Sequence, residues 1–219
     1  MSSPVARPLR ADAERNRQRL LVAAQELFRS RGLDVSMDDI AAHAGVGVGT
    51  AYRRFRSRDE LIDALFEERM GEVVDMVEQG AADPDPWRGL VTMLEQTLAM
   101  QATDRGLKHL FHSREHSRRR VKEIRDQILD TMQGMVDRAH ADGTLRPDVT
   151  LMDITVVNLM VGAVADLTAD EDPTAWRRAL ALAVDGLRAR PGTGPLPSEA
   201  ISREQFEAAL ECWRPPAPR

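Results

Sequence analysis

The stretch Val35–Leu61, VSMDDIAAHAGVGVGTAYRRFRSRDEL, decides the fold. Ser36 opens a capping-box pattern, Ser-Met-Asp-Asp, which predicts that a short helix begins directly after it. Gly45 tolerates a positive φ and predicts the end of this helix. A second short helix is predicted over residues 48–55, with Gly47 at its cap. Two short helices joined by a tight glycine turn are the layout of a helix-turn-helix.

The same stretch resembles the DNA-binding domain of TetR-family transcriptional regulators. The family pattern reads Ala-Gly-Val-Ser-x-Gly-Thr-Leu-Tyr-x-His-Phe, followed by Ser/Gly-Lys-x-x-Leu. The matching positions are Ala44, Gly45, Val46, Gly49, Thr50, Tyr52, Phe55, Ser57 and Leu61. Gly47, Ala51 and Arg54 depart from it, since serine, leucine and histidine are usual there. The resemblance covers residues 20–65 and implies a DNA-binding transcriptional regulator.

Candidate DNA contacts cluster on the second short helix and its flanks. Hydroxyl groups at Thr50 and Tyr52 suit phosphate oxygens, which fix the register of a protein on DNA. Base reading is assigned to Val48, Gly49 and Arg53, because valine can meet a thymine methyl and arginine can grip guanine through two hydrogen bonds. The complete predicted set is Ser36, Gly47, Val48, Gly49, Thr50, Tyr52, Arg53, Arg54, Arg56 and Arg58.

Charge and composition agree with a DNA-binding segment joined to an acidic remainder. The net charge of the 219 residues is -5, but residues 1–60 carry an excess of three positive charges and residues 61–219 an excess of eight negative charges. No apolar run of about 18 residues and no signal-peptide pattern occurs, so we expect a cytoplasmic protein that does not span a membrane. Cys212, the single cysteine, excludes an intramolecular disulfide.

Helical periodicity predicts an all-α fold, because alternating β-branched runs and Asn-Gly hairpin turns are absent. The expected organisation is an N-terminal three-helix helix-turn-helix domain followed by a larger helical ligand-binding and dimerisation domain. Predicted segments are a disordered arm over 1–11, the helix-turn-helix domain over 12–57, the ligand-binding and dimerisation domain over 58–190, a linker over 191–197, and a C-terminal helix and tail over 198–219. Predicted helices span 12–31, 58–79, 87–102, 107–113, 115–141, 149–168, 173–189 and 198–213. The last of these either caps its own subunit or reaches a partner.

The helix predicted over residues 149–168 is apolar on more than one face, so it needs packing partners on two sides. Together with residues 173–189 it can form half of a four-helix interface between two subunits. The family resemblance likewise implies a homodimer through about 149–189. Such a dimer would place two reading helices about 34 Å apart, facing successive major grooves of a palindromic double-stranded operator.

Methionines on the central helices suggest either plain core or the lining of an apolar cavity, since flexible thioethers fill irregular space. By resemblance, a small and largely apolar effector would bind between the helices from 58 to 142. The candidate ligand-binding residues are Phe66, Met70, Met93, Met100, His109, His112, Met132 and Met135. His109, His112 and His116 also have the spacing of a metal site, which is the weaker alternative, and no metal or cofactor is predicted.

These patterns favour a sequence-specific DNA-binding regulator, a repressor that a small ligand releases from a palindromic operator. One alternative is a nucleoid-type DNA binder that needs no ligand. Another is a helical metal-dependent enzyme using the histidines, but no nucleophile, base and orienting group can be recognised together. We therefore predict that the protein is not an enzyme.

Overall fold

A computed structural model describes residues 6–31, 35–103 and 119–212 of the chain. Their helices are α1 (Ala6–Arg31), α2 (Met37–Ala44), α3 (Val48–Arg54), α4 (Arg58–Ala82), α5 (Pro86–Thr103), α6 (Arg119–Ala141), α7 (Leu151–Thr168), α8 (Ala175–Leu187) and α9 (Arg203–Cys212). Within these ranges the β-structure is limited to an isolated bridge between Leu145 and Arg188. The predicted all-α fold is confirmed, while the helix predicted over 107–113 lies outside the described residues.

Two helix starts differ from the sequence prediction by five residues or more. Helix α1 begins at Ala6, inside the segment 1–11 for which the sequence predicts a disordered arm. Pro8 falls in the first turn, where its missing N–H has no helical partner to lose. Helix α9 begins at Arg203 rather than at residue 198, because Ser202 caps it: the Ser202 hydroxyl accepts from the Gln205 amide at 3.1 Å, and the Gln205 side chain accepts from the Ser202 amide at 2.9 Å.

The chain forms two compact units, and the division falls inside α4 between Arg69 and Met70 rather than after residue 57. In the first unit, α1, α2 and α3 pack on one another. Apolar side chains of α1 are buried, with Leu20 fully buried and Phe28 only 2% exposed, and Ile40 of α2 and Ala51 of α3 are fully buried as well. This small core holds the helix-turn-helix in place.

In the second unit, α5 packs against α6, α7 and α8, and α7 packs along α8. Helix α7 begins with a complete capping box in which Thr150 and Asp153 exchange side-chain and backbone hydrogen bonds. Its length of 18 residues and its composition would suffice to cross a membrane, although a helix from a protein core or interface passes the same test. One third of it is buried in this chain, and Met160 and Leu167 are 53% and 85% exposed.

Helices α4 and α5 approach each other closely at two glycines, Gly80 and Gly89. A Cβ atom on Gly89 would stand 2.2 Å from the Gly80 carbonyl oxygen, and one on Gly80 would stand 2.9 Å from the Gly89 carbonyl oxygen. Arg138 of α6 donates to the carbonyl of Ala81 in the last turn of α4 and to that of Asp83 directly after it. The end of α4 is thus joined to both α5 and α6.

A buried arginine fastens the chain after α8. The Arg146 guanidinium, in a residue only 9% exposed, makes two hydrogen bonds to Asp148, at 3.0 and 2.9 Å, and donates to the Gly194 carbonyl at 2.9 Å. Asp148 also accepts from the Leu196 amide at 2.7 Å. The hydrogen bonds from Arg146, and then the one from Leu196, lower the pKa of Asp148 below its ordinary range. Part of the predicted linker over 191–197 is therefore bound to the second unit.

We expect Gly89→Ala to destabilise the protein by about 1–3 kcal/mol, because its methyl group would overlap a backbone carbonyl that belongs to the facing helix. The matched control is Gly134→Ala on α6, where an added Cβ meets nothing within 4 Å. That substitution should raise stability by up to about 1 kcal/mol through helix propensity alone. Chemical denaturation of both variants is the measurement. Equal stability of the two would contradict the close crossing.

Candidate nucleic-acid interface

The start and end of α2 set the geometry of the helix-turn-helix. The Ser36 hydroxyl accepts from the Asp39 amide at 3.1 Å, and the Asp39 carboxylate accepts from the Ser36 amide at 3.2 Å, so the predicted capping box is confirmed. The hydroxyl and amide hydrogen bonds from Ser36 lower the pKa of Asp39. Gly45 ends α2 at φ 62°, and its carbonyl accepts from Arg19 on α1 at 3.2 Å. A tight turn then leads into α3.

Helix α3 presents one face to solvent and one to the core. Ala51 is fully buried and Phe55 is 4% exposed, as expected for core positions. Val48 and Tyr52 are 43% and 46% exposed, which is high for large apolar or aromatic side chains. Of the remaining candidates on this helix, Gly49 and Arg53 are exposed and Thr50 is half-buried. The predicted base-reading and phosphate-binding positions therefore lie on one accessible surface, which we call the α3 surface: Val48, Gly49, Thr50, Tyr52 and Arg53.

Two glycines at the start of α3 are not required by the fold of the chain itself. Gly47 has φ −60°, and Gly49 lies inside the helix. A Cβ on Gly49 would meet nothing within 4 Å, and one on Gly47 would meet only the Thr50 hydroxyl, at 3.9 Å. Glycine inside a helix costs about 0.5–1 kcal/mol relative to alanine. An exposed helix start without side-chain bulk admits close approach of another backbone.

The arginines proposed for DNA fall into two groups. Arg54 donates to the Ala13 carbonyl of α1 at 3.2 Å, and Arg58 donates to the Val35 carbonyl at 2.8 Å with its guanidinium 5.8 Å from the centre of the Phe28 ring. Both hold helices of the first unit together. Arg53 and Arg56 are exposed instead. Ser36 lies at the cap of α2, outside the α3 surface.

Arg53 is oriented by a neighbour on its own helix. Its Nη2 atom donates to the Thr50 hydroxyl oxygen at 2.9 Å, across three residues. Residues three positions apart are neighbours on a helix surface, so the two side chains reach each other without strain. The guanidinium and the hydroxyl therefore occupy the α3 surface as one unit.

The predicted ligand-binding residues divide between the two units. Phe66 is fully buried in the first unit, whereas Met70, Met93, Met132 and Met135 are buried in the second and Met100 is half-buried there. The structure brings Met93 and Met135 together, since both lie about 3 Å from where a Cβ on Gly80 would be placed. His109 and His112 lie outside the described residues.

No cluster of three or more histidine, cysteine, aspartate or glutamate side chains suited to a metal occurs in the part of the chain whose side chains are described. The three histidines of the metal alternative, at 109, 112 and 116, fall outside that part.

A polar chain between α5 and α7 was missed by the sequence reasoning. Gln101 donates to the Asn158 side-chain oxygen at 2.9 Å, and Asn158 donates to the Thr97 hydroxyl at 3.2 Å. Thr97 is 5% exposed and also donates to carbonyls of its own helix. The available signal was Asn158 itself, an amide in the middle of the most apolar helix.

Comparison with known proteins places both units in one family. Residues 20–65 match the family described as bacterial regulatory proteins, tetR family, and residues 85–189 match the C-terminal domain of the type described as transcriptional regulator SbtR-like. An HTH-type transcriptional regulator of Staphylococcus aureus is 37% identical over 84 residues, which are 37% of this chain. The chain spans 44% of that relative's length.

Solved structures share the fold over most of the chain. The crystal structure of a FadR transcriptional regulator from Bacillus subtilis in complex with stearoyl-CoA has a TM-score of 0.62 at 20% identity, covering 78% of this chain and 98% of that chain. The TetR transcription regulatory protein from Mycobacterium vanbaalenii is 30% identical with a TM-score of 0.60, and the match covers 83% of this chain and 100% of that one. The chain therefore belongs to the TetR family of bacterial transcriptional regulators, which act by binding DNA.

Proposed function

We propose that this protein is a homodimeric repressor that holds a palindromic operator through α3 and leaves it when a small, largely apolar ligand binds. The observation that carries the proposal is the α3 surface, where large apolar, aromatic and cationic side chains stand exposed beside a glycine. Such a surface has no role in the core of its own unit. It has the size and chemistry of a helix that enters a major groove.

The contacts proposed for the α3 surface follow from the position of each side chain. Val48 and Arg53 face bases, whereas the hydroxyl of Tyr52 and the cation of Arg56 face phosphates. We assign Ser36, Arg54 and Arg58 to the frame that holds α3, because Ser36 caps α2 and both arginines donate to carbonyl oxygens within the unit. Gly47 and Gly49 allow the DNA backbone to approach the start of α3 closely.

The dimer is proposed to form through the exposed faces of α7 and α8. Leu182 on α8 is 66% exposed, and Met160 and Leu167 on α7 are more than half exposed. Gly186 on α8 has open space where a Cβ would stand, which permits a second helix to approach closely. Large apolar side chains exposed on two adjacent helices are typical of an interaction site, and two copies of a two-helix face make a four-helix interface.

The ligand is proposed to bind within the second unit, beside the α4, α5 and α6 crossing. Met70, Met93, Met132 and Met135 are buried in that unit, and methionine adapts its shape to apolar guests. Met100, half-buried in the same unit, is a further candidate, and Phe66, His109 and His112 stay predictions from the sequence. The ligand needs a coupling free energy of about 1–3 kcal/mol between its own site and DNA. Stearoyl-CoA is the first probe, since a structural relative was solved with it.

This function is that of a cytoplasmic protein without catalytic activity. Its working partners are double-stranded DNA, the effector and a second copy of the chain. The nucleoid-type alternative differs from it in one measurable respect, because a nucleoid protein binds all duplexes nearly equally.

Selection from a random duplex pool at near-physiological salt should enrich an inverted repeat, with half-sites about 10 base pairs apart or a multiple of that distance. The winner should bind at least about 1000-fold more tightly than a scrambled duplex. Stearoyl-CoA, added to the complex, should then weaken binding, with coenzyme A as the control. Uniform binding to both duplexes would instead establish the nucleoid-type alternative, and unchanged affinity would exclude long-chain acyl-CoA as effector.

Gly49→Ala should leave the stability unchanged or raise it by up to about 1 kcal/mol, because the site is open and helical. Affinity for the selected duplex should nevertheless fall at least tenfold, since the methyl group meets the approaching DNA. Gly71→Ala on α4, another exposed glycine with open space around it, is the control and should change neither DNA affinity nor specificity. Melting temperature and duplex titration measure the two effects. Unaltered affinity of the Gly49 variant would contradict close approach.

Leu182→Glu should convert a dimer to a monomer, because a two-fold interface would then bury two carboxylates, one from each subunit, in apolar surroundings. Operator affinity should fall with it, since the two half-sites are then bound independently. Leu196→Glu, at a leucine that is 44% exposed on the segment after α8, should remain dimeric. Sedimentation equilibrium gives the mass, and circular dichroism checks the helix content. A Leu182 variant that stays dimeric would place the interface elsewhere.

A further inference from the structure

One hydrogen bond on the α3 surface has no task in folding. Arg53 and Thr50 lie three residues apart on α3, and the bond from Nη2 to the hydroxyl oxygen is 2.9 Å long. Arg53 is exposed, so the bond neither satisfies a buried group nor joins two helices. By contrast, the adjacent Arg54 reaches 41 residues back to Ala13. Of the two arginines on α3, Arg54 is bonded to another helix and Arg53 is bonded to Thr50 on its own helix.

We propose that Thr50 is a positioning residue, whose hydroxyl aims the Arg53 guanidinium at one guanine in each half-site. This inference rests on the proposed function of α3 and names the side chain that sets part of its base preference. Long side chains on a helix lean toward its N-terminus. The bond to Thr50 holds Arg53 toward that end, where recognition helices meet base edges.

The hydrogen-bonding capacity of the pair fits this task. A guanidinium carries five N–H donors in a planar fork, and the contact with Thr50 uses one of them. The others remain for the O6 and N7 acceptors of guanine, a bidentate contact worth about 1–3 kcal/mol of discrimination against another base. Threonine adds a stiff, β-branched side chain, so the acceptor itself has few positions to choose from.

Orientation in the free protein matters because arginine is flexible. Its side chain carries about 2 kcal/mol of rotamer entropy, part of which is lost when it grips a base. A guanidinium already held over the start of α3 loses less on binding. The hydrogen bond to Thr50 therefore increases affinity for the base pair that Arg53 binds and not for other base pairs. The difference between these affinities, the sequence discrimination, increases.

The test measures a ratio of two dissociation constants. Arg53→Ala first identifies the base pair that Arg53 reads, as the pair at which this variant no longer shows a preference. The selected duplex is then compared with a duplex in which that base pair is replaced in both half-sites. Thr50→Val removes the acceptor but keeps the shape, and it should lower this ratio about three- to tenfold. Thr50→Ser keeps the hydroxyl and should retain most of the ratio. In an Arg53→Ala background, Thr50→Val should leave the ratio unchanged.

The ratio separates positioning from a direct phosphate contact, because such a contact is made equally to both duplexes and cancels. An unchanged ratio in Thr50→Val, with affinity reduced equally for both duplexes, would overturn the inference and assign Thr50 to phosphate. Any change of the ratio on adding Thr50→Val to Arg53→Ala would overturn it as well. If the unaltered protein prefers no duplex, the proposed function itself fails. Melting temperatures of all variants confirm that they are folded.

Discussion

The left-handed turn at Gly45 is the constraint on which the reading surface depends. At φ 62°, the Gly45 amide can donate to the last carbonyls of α2, while the Val46 amide donates to Ala41 at 2.9 Å and its side chain is buried. A side chain at position 45 would be strained, and its Cβ would stand 2.8 Å from the Arg19 guanidinium. The direction in which α3 leaves α2 is thus fixed before any ligand or DNA is considered.

Three arginines hold the first unit together, and one of them, Arg19, acts at this turn. Arg19, Arg54 and Arg58 donate to carbonyl oxygens at Gly45, Ala13 and Val35, respectively. A positive charge in a DNA-binding domain is therefore not by itself a phosphate contact. The cationic groups that hold the frame also add to the local field, since screening at physiological salt still allows effects over about 8 Å.

Sequence reasoning succeeded where the information is local. The capping box at Ser36, the end of α2 at Gly45 and the exposed positions of α3 depend on neighbours within a few residues, so their residue types suffice to predict them. The partners of Arg54 and Arg58 are 41 and 23 residues away, and no pattern in the sequence connects them. The hydrogen bonds of Asn158 could not be predicted for the same reason, because its partners lie on another helix.

The hydrogen bonds that join Arg146 and Asp148 to Gly194 and Leu196, here called the Arg146 clasp, change where the second unit ends. The family match stops at residue 189, yet Gly194 and Leu196 are bonded to Arg146 and Asp148. A chain cut at residue 189 would leave a largely buried guanidinium without one of its acceptors. The hydrogen bonds from Arg146 and Leu196 hold the pKa of Asp148 below its ordinary range, so this carboxylate stays ionised to a lower pH than an ordinary aspartate. Two residues of the segment that resembles a spacer, Gly194 and Leu196, thus belong to the second unit, so a truncation that keeps this unit whole has to end beyond residue 196.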